Sequence, residues 1–192
     1  MSLASQRADE WRAWRTELLD DLLRVAARDH WDRALFAIGI SNAAFFGVMQ
    51  ALYTAGLRGS FLFVCIWAAE FAVNLLLLRA CAGRGWVRST PLTGLLTRIW
   101  ATFLILSFNV AALNSLAGFQ TDWFKPVWAT LSTFGFAATA YVTSPWMFVP
   151  AVQMYFTGLL MTAFPEWNYA IYGASWFLAL AGISLVLRRR RV

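Results

Sequence analysis

The stretch FLFVCIWAAEFAVNLLLLR, residues 61 to 79, decides the class of fold. Up to its final arginine it contains a single charged side chain, Glu70, and one carboxamide, Asn74. A helix on the surface of a soluble protein carries charged residues along one side, whereas a continuous apolar run of about 20 residues has the length of a bilayer-spanning helix. The stretch therefore predicts a transmembrane helix with a carboxyl group in its middle.

The remainder of the chain has the same apolar character. Of its 192 residues, 60% are hydrophobic and 14% are charged, a balance typical of integral membrane proteins. Six runs are long enough to span a bilayer. We therefore predict an all-α polytopic membrane protein with a bundle of six transmembrane helices. The predicted spans are residues 34–57, 61–78, 95–118, 126–143, 146–164 and 169–187.

The fourth and fifth predicted spans are separated only by a short turn around Ser144 and Pro145. Serine and proline at this point are typical of a turn. The pair could either cross the bilayer twice or form a re-entrant hairpin over residues 126–164. We favour two full spans, because each run meets the ~17-residue minimum for a spanning helix.

The positively charged residues indicate the orientation of the chain. Six spans with both termini in the cytoplasm place every Lys and Arg on the cytoplasmic side except Arg58 and Lys125. Basic residues next to a span resist translocation, so this orientation is the favoured one. The net charge of +6 does not predict nucleic-acid binding, because the basic residues flank apolar runs and form no stripe with aromatic residues between them.

Residues 1–33 precede the first span and are rich in charge. Within them, apolar residues recur at helical spacing, which predicts an amphipathic helix on the cytoplasmic side. The residues that carry this pattern are Trp11, Trp14, Leu18 and Leu22. The helix either lies on the membrane surface, with the tryptophans as anchors, or packs against a partner protein. We divide the chain accordingly into a cytoplasmic helix, residues 1–33, and a transmembrane domain, residues 34–192.

The connection over residues 79–94 combines glycine, proline and arginine, a composition typical of a cytoplasmic loop. Its positive charge anchors the topology. Arg84 and Arg88 are also candidates for contact with anionic lipid headgroups or with a partner protein. The loop and the N-terminal helix are thus the predicted cytoplasmic contact surfaces.

Glu70 is the only acidic residue within the predicted spans. A carboxylate in hydrocarbon is unfavourable by roughly 2.5–3.5 kcal/mol on insertion scales, so it needs a partner, water or a proton. Asn74 lies one helical turn away on the same face. With a rise of ~1.5 Å per residue, Asn42, Glu70 and Gln153 lie at similar depths, so these side chains are predicted to form one polar site.

Two roles are consistent with such a site. In one, Glu70 binds a proton or a cation on a translocation path that Asn42 and Gln153 complete. In the other, a protonated or hydrogen-bonded Glu70 fixes the packing of the helices. We favour the structural role, because the spans contain no second acid and no histidine. Arg98, near the start of the third span, is the nearest predicted counter-charge.

Gly39, Ala43 and Gly47 form a ridge of small residues on the first span. Such a ridge lets the backbone of another helix approach closely. It serves either packing within the chain, which we favour, or formation of a homo-oligomer.

Residue patterns of known catalytic sites are absent from the sequence. His30 is the only histidine, and the two cysteines, Cys65 and Cys81, form no CxxC pair. No GxSxG, HExxH, Walker A or GxGxxG motif occurs. An enzyme acting on lipids would need an acid–base pair or metal ligands at one interface. We therefore expect no enzymatic activity and no metal or cofactor.

The second half of the chain contains three features of a known family. They are Ile99 and Trp100 at a span start, the run LLMTAFPEW over residues 159–167, and the basic residues 188–191. In these features the chain resembles the C-terminal multi-span membrane region of planctomycete-type bacterial serine/threonine protein kinases. The kinase domain itself is absent, since the sequence has no glycine-rich loop, no HRD motif and no DFG motif.

The resemblance implies a module of the bacterial cytoplasmic membrane that anchors or regulates a signalling protein, and it transfers no catalytic residue. The expected function is accordingly that of a non-enzymatic integral membrane module with a protein partner on the cytoplasmic side. The alternative is a small transporter or channel subunit that uses Glu70 as a proton or cation site. The lipid bilayer is an expected partner, and nucleic acid is not.

Overall fold

The structure is a computed structural model that describes residues 3–57, 60–83, 85, 89–116 and 121–189. These residues form helices and turns and contain no strand, so the prediction of an all-α chain is confirmed for them. The helices are α1 (Leu3–Arg28), α2 (Trp31–Thr54), α3 (Ser60–Ala82), α4 (Pro91–Leu116), α5 (Thr121–Val142), α6 (Phe148–Ala163) and α7 (Asn168–Arg189). Single 3-10 turns precede α6 at Pro145–Met147 and α7 at Pro165–Trp167.

Five segments of the described chain are helical, long and apolar enough to cross a membrane, as expected of a multi-pass membrane protein. They are Trp31–Thr54, Phe61–Ala82, Pro91–Asn114, Pro145–Ala163 and Pro165–Arg189. Helix α5 has 22 residues but is not among these five. It contains Lys125, one serine and four threonines, which lower its mean hydropathy. The count of six spans therefore stays a prediction.

Helix α4 begins at Pro91, four residues before the predicted span, and its first turn explains why. The Thr93 N–H donates to Thr90 Oγ1 at 3.1 Å, and the Thr90 N–H donates to Thr93 Oγ1 at 3.0 Å. Such reciprocal bonds close the N-terminus of a helix, and proline is favoured at the first helical position. Because α3 also continues to Ala82, the connection is shorter than the predicted loop over residues 79–94. Arg84 and Arg88 lie outside the described residues.

A turn at His30 separates α1 from α2. His30 has a φ of 52° and lies in the left-handed region, a conformation that commonly ends a helix and redirects the chain. Its carbonyl accepts the Arg33 N–H at 3.0 Å and the Ala34 N–H at 3.2 Å, so α2 starts at once. Helix α1 folds back from this turn and contacts α2, α4 and α7.

Helices α2 and α7 form the most extensive helix pair of the described chain, and they run antiparallel. Ser184 Oγ donates to Asp32 O at 2.7 Å near the start of α2. Gln50 Nε2, near the end of α2, donates to Glu166 O at 2.7 Å, and Gln50 Oε1 accepts the Ala170 N–H at 3.2 Å. Both ends of the pair are therefore held by polar contacts between the two elements.

The small-residue ridge on α2 faces α7 over most of its length. A Cβ atom added at Gly39 would lie 3.4 Å from Leu180 Cβ, and one added at Gly173 would lie 3.6 Å from Ala43 Cα. Gly47 has no heavy atom near its missing Cβ and is exposed. The ridge thus contributes to packing within the chain, and its exposed end at Gly47 is what remains for contact with a second copy.

Helices α5 and α6 form an antiparallel hairpin, and α4 packs against α5. The predicted turn between α5 and α6 is present: Ser144 has an extended backbone, and Pro145 is the first residue of the 3-10 turn. Helix α3 packs its backbone against α2. Its Trp67 ring reaches the Phe108 ring of α4 at 4.5 Å and the Trp128 ring of α5 at 5.6 Å, measured between centroids. Because side chains rather than backbones bridge these distances, a partly open cavity remains between the helices.

Candidate functional site

The cavity has a volume of about 450 Å³ and lies between α2, α3, α4, α5 and α7. Pockets for small molecules have volumes of ~300–1,000 Å³ and are mostly apolar, so this cavity has the size and character of a ligand site. Aromatic side chains from every one of these helices line it. They include Phe46, Trp67, Trp100, Trp128, Tyr172 and Trp176.

The aromatic wall is a connected cluster. The Trp100 ring lies 5.0 Å from the Phe136 ring and 5.8 Å from the Trp176 ring, and the Phe46 ring meets Tyr172 edge to face at 5.0 Å. Aromatic pairs at such distances and angles attract one another beyond the area that they bury. The wall therefore has a defined shape, and its ring faces are available to a bound molecule.

One wall of the cavity carries a polar cluster formed by Asn42, Glu70 and Asn74. Asn74 Nδ2 donates to Asn42 Oδ1 at 2.7 Å. The same end of the Asn42 carboxamide lies 3.0 Å from Glu70 Oε1. Glu70 is 4% exposed and is held away from solvent. Helical spacing positions Glu70 and Asn74 on one face of α3, and the packing of α2 brings Asn42 to them.

The polar cluster can hold Glu70 with or without its proton. When Asn42 presents Oδ1, a protonated Glu70 can donate to it, because two bare oxygens would repel each other. When the carboxamide is rotated, Asn42 Nδ2 donates to Glu70 Oε1 at 3.0 Å and to Ile38 O at 3.2 Å. In that state Asn74 also has to rotate, so that its oxygen faces Asn42. The cluster therefore allows Glu70 either to keep a proton or to carry a charge.

Four oxygen atoms on the cavity lining have no hydrogen-bond partner within the described part of the chain. They are Glu70 Oε2, Asn74 Oδ1, Ser107 Oγ and Asn114 Oδ1. Buried polar atoms are almost always paired, and each exception needs an explanation. When Glu70 is ionised, its Oε2 is a pure acceptor and the Ser107 hydroxyl can also accept, so the cavity then presents acceptors to whatever occupies it.

Glu70 supplies the only full charge on the cavity lining, as far as the described residues show. Arg98, the predicted counter-charge, is exposed and does not line the cavity. No group of three His, Cys, Asp or Glu side chains that could hold a metal ion is found in the described residues. The chemistry of the site is therefore that of one carboxyl group, several carboxamide and hydroxyl oxygens, and aromatic faces.

Gln153 does not belong to the polar cluster, contrary to the prediction of a single polar site. Gln153 Nε2 donates to Ser175 O at 2.8 Å, and Thr157 Oγ1 donates to Ser175 Oγ at 2.8 Å. These bonds join α6 to α7 away from the cavity. The depth of a residue along a span can be counted from the sequence. The rotation of α6 about its axis depends instead on how the helix packs, and it directs Gln153 towards α7.

Helix α1 contributes one end of the cavity. Leu19, Leu22, Leu23 and Ala26 line it, while Trp11 and Trp14 remain 60% and 50% exposed. The predicted contact residues are therefore separated along the helix, since Leu22 packs towards the chain's own bundle and the tryptophans do not. Leu18 lies between them and is half-buried.

Lys125 is a residue whose surroundings the sequence did not indicate. The predicted topology places it outside the membrane, and its side chain is only 1% exposed. Its Nζ lies 3.8 Å from the ring centroid of Tyr53 and 4.9 Å from that of Tyr169. A lysine at the start of a predicted span can be solvated or can stack on aromatic rings. Its position in the sequence is the same in both cases, so the sequence does not distinguish them.

The sequence also does not show whether the tryptophans near the predicted span ends lie at the membrane surface or inside the bundle. Tryptophan at a span end is typical of the membrane–water interface, but Trp100 and Trp128 line the cavity instead. Trp128 Nε1 donates to Ser107 O at 3.4 Å, which joins α5 to α4. The aromatic wall was therefore not predictable from residue positions along the chain.

No protein-family model, no curated protein and no solved structure matches this chain. Its class follows from the fold itself: it is a helical protein with several helices apolar enough for a multi-pass membrane protein. Between these helices lies a partly open cavity with a polar cluster in its wall.

Proposed function

We propose that this protein is a non-enzymatic membrane module that anchors or regulates a partner protein in the cytoplasm, and that a small molecule in the cavity controls this contact. The observation that supports the proposal is the position of α1. Leu22 and Ala26 of this helix line the same cavity as Glu70. A molecule in the cavity would therefore touch the helix that is free to meet a partner through Trp11 and Trp14.

The proposed topology has six spans, with α1 and both termini on the cytoplasmic side of a bacterial inner membrane. The distribution of basic residues supports this orientation. The course of α5 supports a sixth span. Lys125 near its start meets Tyr53 at the end of α2, whereas Phe136 meets Trp100 in the first half of α4. Helix α5 thus extends along the bundle, away from the end at which Tyr53 lies.

Reporter tags test this topology. A tag inserted after Arg88 and a tag fused to Val192 are both expected in the cytoplasm, because the basic residues that flank these points resist translocation. A tag inserted after Leu57, between α2 and α3, is the control and is expected outside. Protease protection in spheroplasts measures all three positions. An external tag at either of the first two positions would contradict the topology.

Site-specific photo-cross-linking tests the proposed function. A photoreactive amino acid in place of Trp14, which is 50% exposed, is expected to give an adduct with a cytoplasmic protein in native membranes. The same group in place of Ile105 of α4, which is 68% exposed, is expected to give lipid adducts alone. Lipid adducts at both positions would mean that α1 lies on the membrane surface and would remove the support for a protein partner.

The dependence on the cavity is tested with a matched pair of substitutions in α4. Ala111 lines the cavity, and its neighbour Ala112 is exposed. In Ala111→Trp the indole fills part of the cavity, so the yield of the protein adduct is expected to change. In Ala112→Trp the same side chain points away from the bundle and the yield is expected to stay the same. Equal yields in both variants would contradict control by the cavity.

A second candidate function is that of a small transporter or channel subunit, which the burial of Glu70 in the cavity wall favours. Vesicles reconstituted with the protein distinguish it from the first proposal. A transporter or channel would give a proton or cation leak that Glu70→Gln abolishes while the helix content is retained. Tight wild-type vesicles would exclude this candidate.

A further inference from the structure

The lining of the cavity indicates the chemical class of its occupant. We propose that it binds a hydrophobic amine in its protonated form, with the ammonium group at Glu70 and the apolar body against the aromatic wall. This inference rests on the proposed function, since it assigns the ligand of the same cavity. It depends on three properties of the lining: its charge, its hydrogen-bonding atoms and its aromatic faces.

The charge of the lining favours a cation. Among the described residues that line the cavity, Glu70 is the only one with a full charge, and no basic side chain accompanies it. A cationic ligand would neutralise an ionised Glu70 inside the bundle, where an unpaired carboxylate is unfavourable. An anionic ligand would instead place two negative charges next to each other in a medium of low dielectric constant.

The hydrogen-bonding atoms favour a ligand that donates. Glu70 Oε2, on α3, is buried without a partner. Ser107 Oγ, on the facing helix α4, is also without a partner and is 1% exposed. A protonated primary amine has three N–H donors. A ligand with only carbonyl or ether oxygens would leave Glu70 Oε2 unpaired.

The aromatic faces can bind both the ammonium group and the apolar body of such a molecule. Trp67, Trp128 and Tyr172 line the cavity together with the polar cluster. The faces of aromatic rings attract cations, and Trp is the strongest of them. The same rings also bury an apolar body. The volume of about 450 Å³ accommodates an arylalkyl chain.

The experiment compares three molecules with one carbon skeleton: phenylbutylamine, phenylbutanol and phenylbutyrate. Binding is measured by isothermal titration calorimetry with the full chain in lipid nanodiscs at neutral pH, and empty nanodiscs correct for partition into lipid. The amine is expected to bind roughly tenfold more tightly than the alcohol, because its hydrogen bonds to a carboxylate are charge-assisted. The carboxylate is expected to bind more weakly than the alcohol.

Glu70→Gln retains the shape of the side chain and removes its charge. In this variant the amine is expected to bind no better than the alcohol, whose own affinity changes little. Glu166→Gln is the matched control, because Glu166 is exposed in the turn before α7 and does not line the cavity. Its affinities are expected to equal those of the wild type. The wild-type series by itself tests the proposal if Glu70→Gln fails to fold.

The outcomes separate the two proposals. If the alcohol binds the wild type as tightly as the amine, the cavity is a ligand site and the assignment of a cationic ligand is overturned. If the amine retains its affinity in Glu70→Gln, the assignment to Glu70 is overturned in the same way. If none of the three molecules binds, the ligand cavity of the proposed function fails as well.

Discussion

Replacement of Gly173 by alanine is expected to lower the free energy of unfolding by about 1–3 kcal/mol, the usual effect of overpacking. A Cβ atom at this position would lie 2.6 Å from Phe46 Cβ, which is closer than two carbon atoms that are not bonded to each other can approach. The atom that it meets is attached directly to the α2 backbone, so no side-chain rotation relieves the contact. Helices α2 and α7 would have to separate, and they form the most extensive helix pair of the described chain.

Reversible unfolding in mixed detergent micelles measures this effect. Gly182→Ala in the same helix is the matched control, because no heavy atom lies within 4 Å of its added Cβ. This control is expected to leave the stability unchanged or to raise it by up to about 1 kcal/mol, because alanine is favoured over glycine inside a helix. Equal effects of the two substitutions would show that the close approach of α2 and α7 at Gly173 does not exist in the folded protein.

Replacement of Asn42 by leucine is expected to lower the free energy of unfolding by about 2–3 kcal/mol. Asn42 is the common partner of Asn74 Nδ2 at 2.7 Å and of Glu70 Oε1 at 3.0 Å. Its loss leaves both polar groups buried and without a partner. Leucine has the same branching and the same number of side-chain heavy atoms as asparagine, so the change reports mainly on hydrogen bonding in the polar cluster.

Two further variants test this interpretation in the same unfolding assay. In Asn42→Leu combined with Glu70→Leu, part of the lost stability is expected to return, because removing both partners is less unfavourable than removing one. Asn109→Leu is the control, since Asn109 is an exposed carboxamide of α4 and leucine is preferred in lipid. If Asn42→Leu proves no more destabilising than Asn109→Leu, the polar cluster does not contribute to the fold.

Much of the helical architecture was predictable because it depends on local composition. Long apolar runs predict spanning helices, and observed helices lie over each predicted span within the described residues. The ends were less predictable. Helix α4 starts at Pro91 through bonds between Thr90 and Thr93, which lie outside the apolar run. Hydropathy detects the part of a helix that lies in lipid, whereas capping residues determine where the helix begins.

The candidate site was predictable only in part. Glu70 and Asn74 share a face of α3 by helical spacing alone. Asn42 and Gln153 were equal candidates to join them, because both lie at a similar depth, and the structure places only Asn42 beside them. The burial of Lys125 against Tyr53 and Tyr169 and the aromatic wall had no signal in the sequence.

The sequence by itself determined that this chain consists of long apolar helices with a carboxyl group inside one of them. The formation of such helices depends on the sequence of each segment alone, because its backbone hydrogen bonds form within the segment and its apolar side chains favour burial. Only the tertiary structure decided which helices meet, that α1 forms one end of the cavity, and that Asn42 is the partner of Glu70. The rotation of each helix about its axis results from contacts such as that of Gly173 with Phe46, which join residues far apart in the chain.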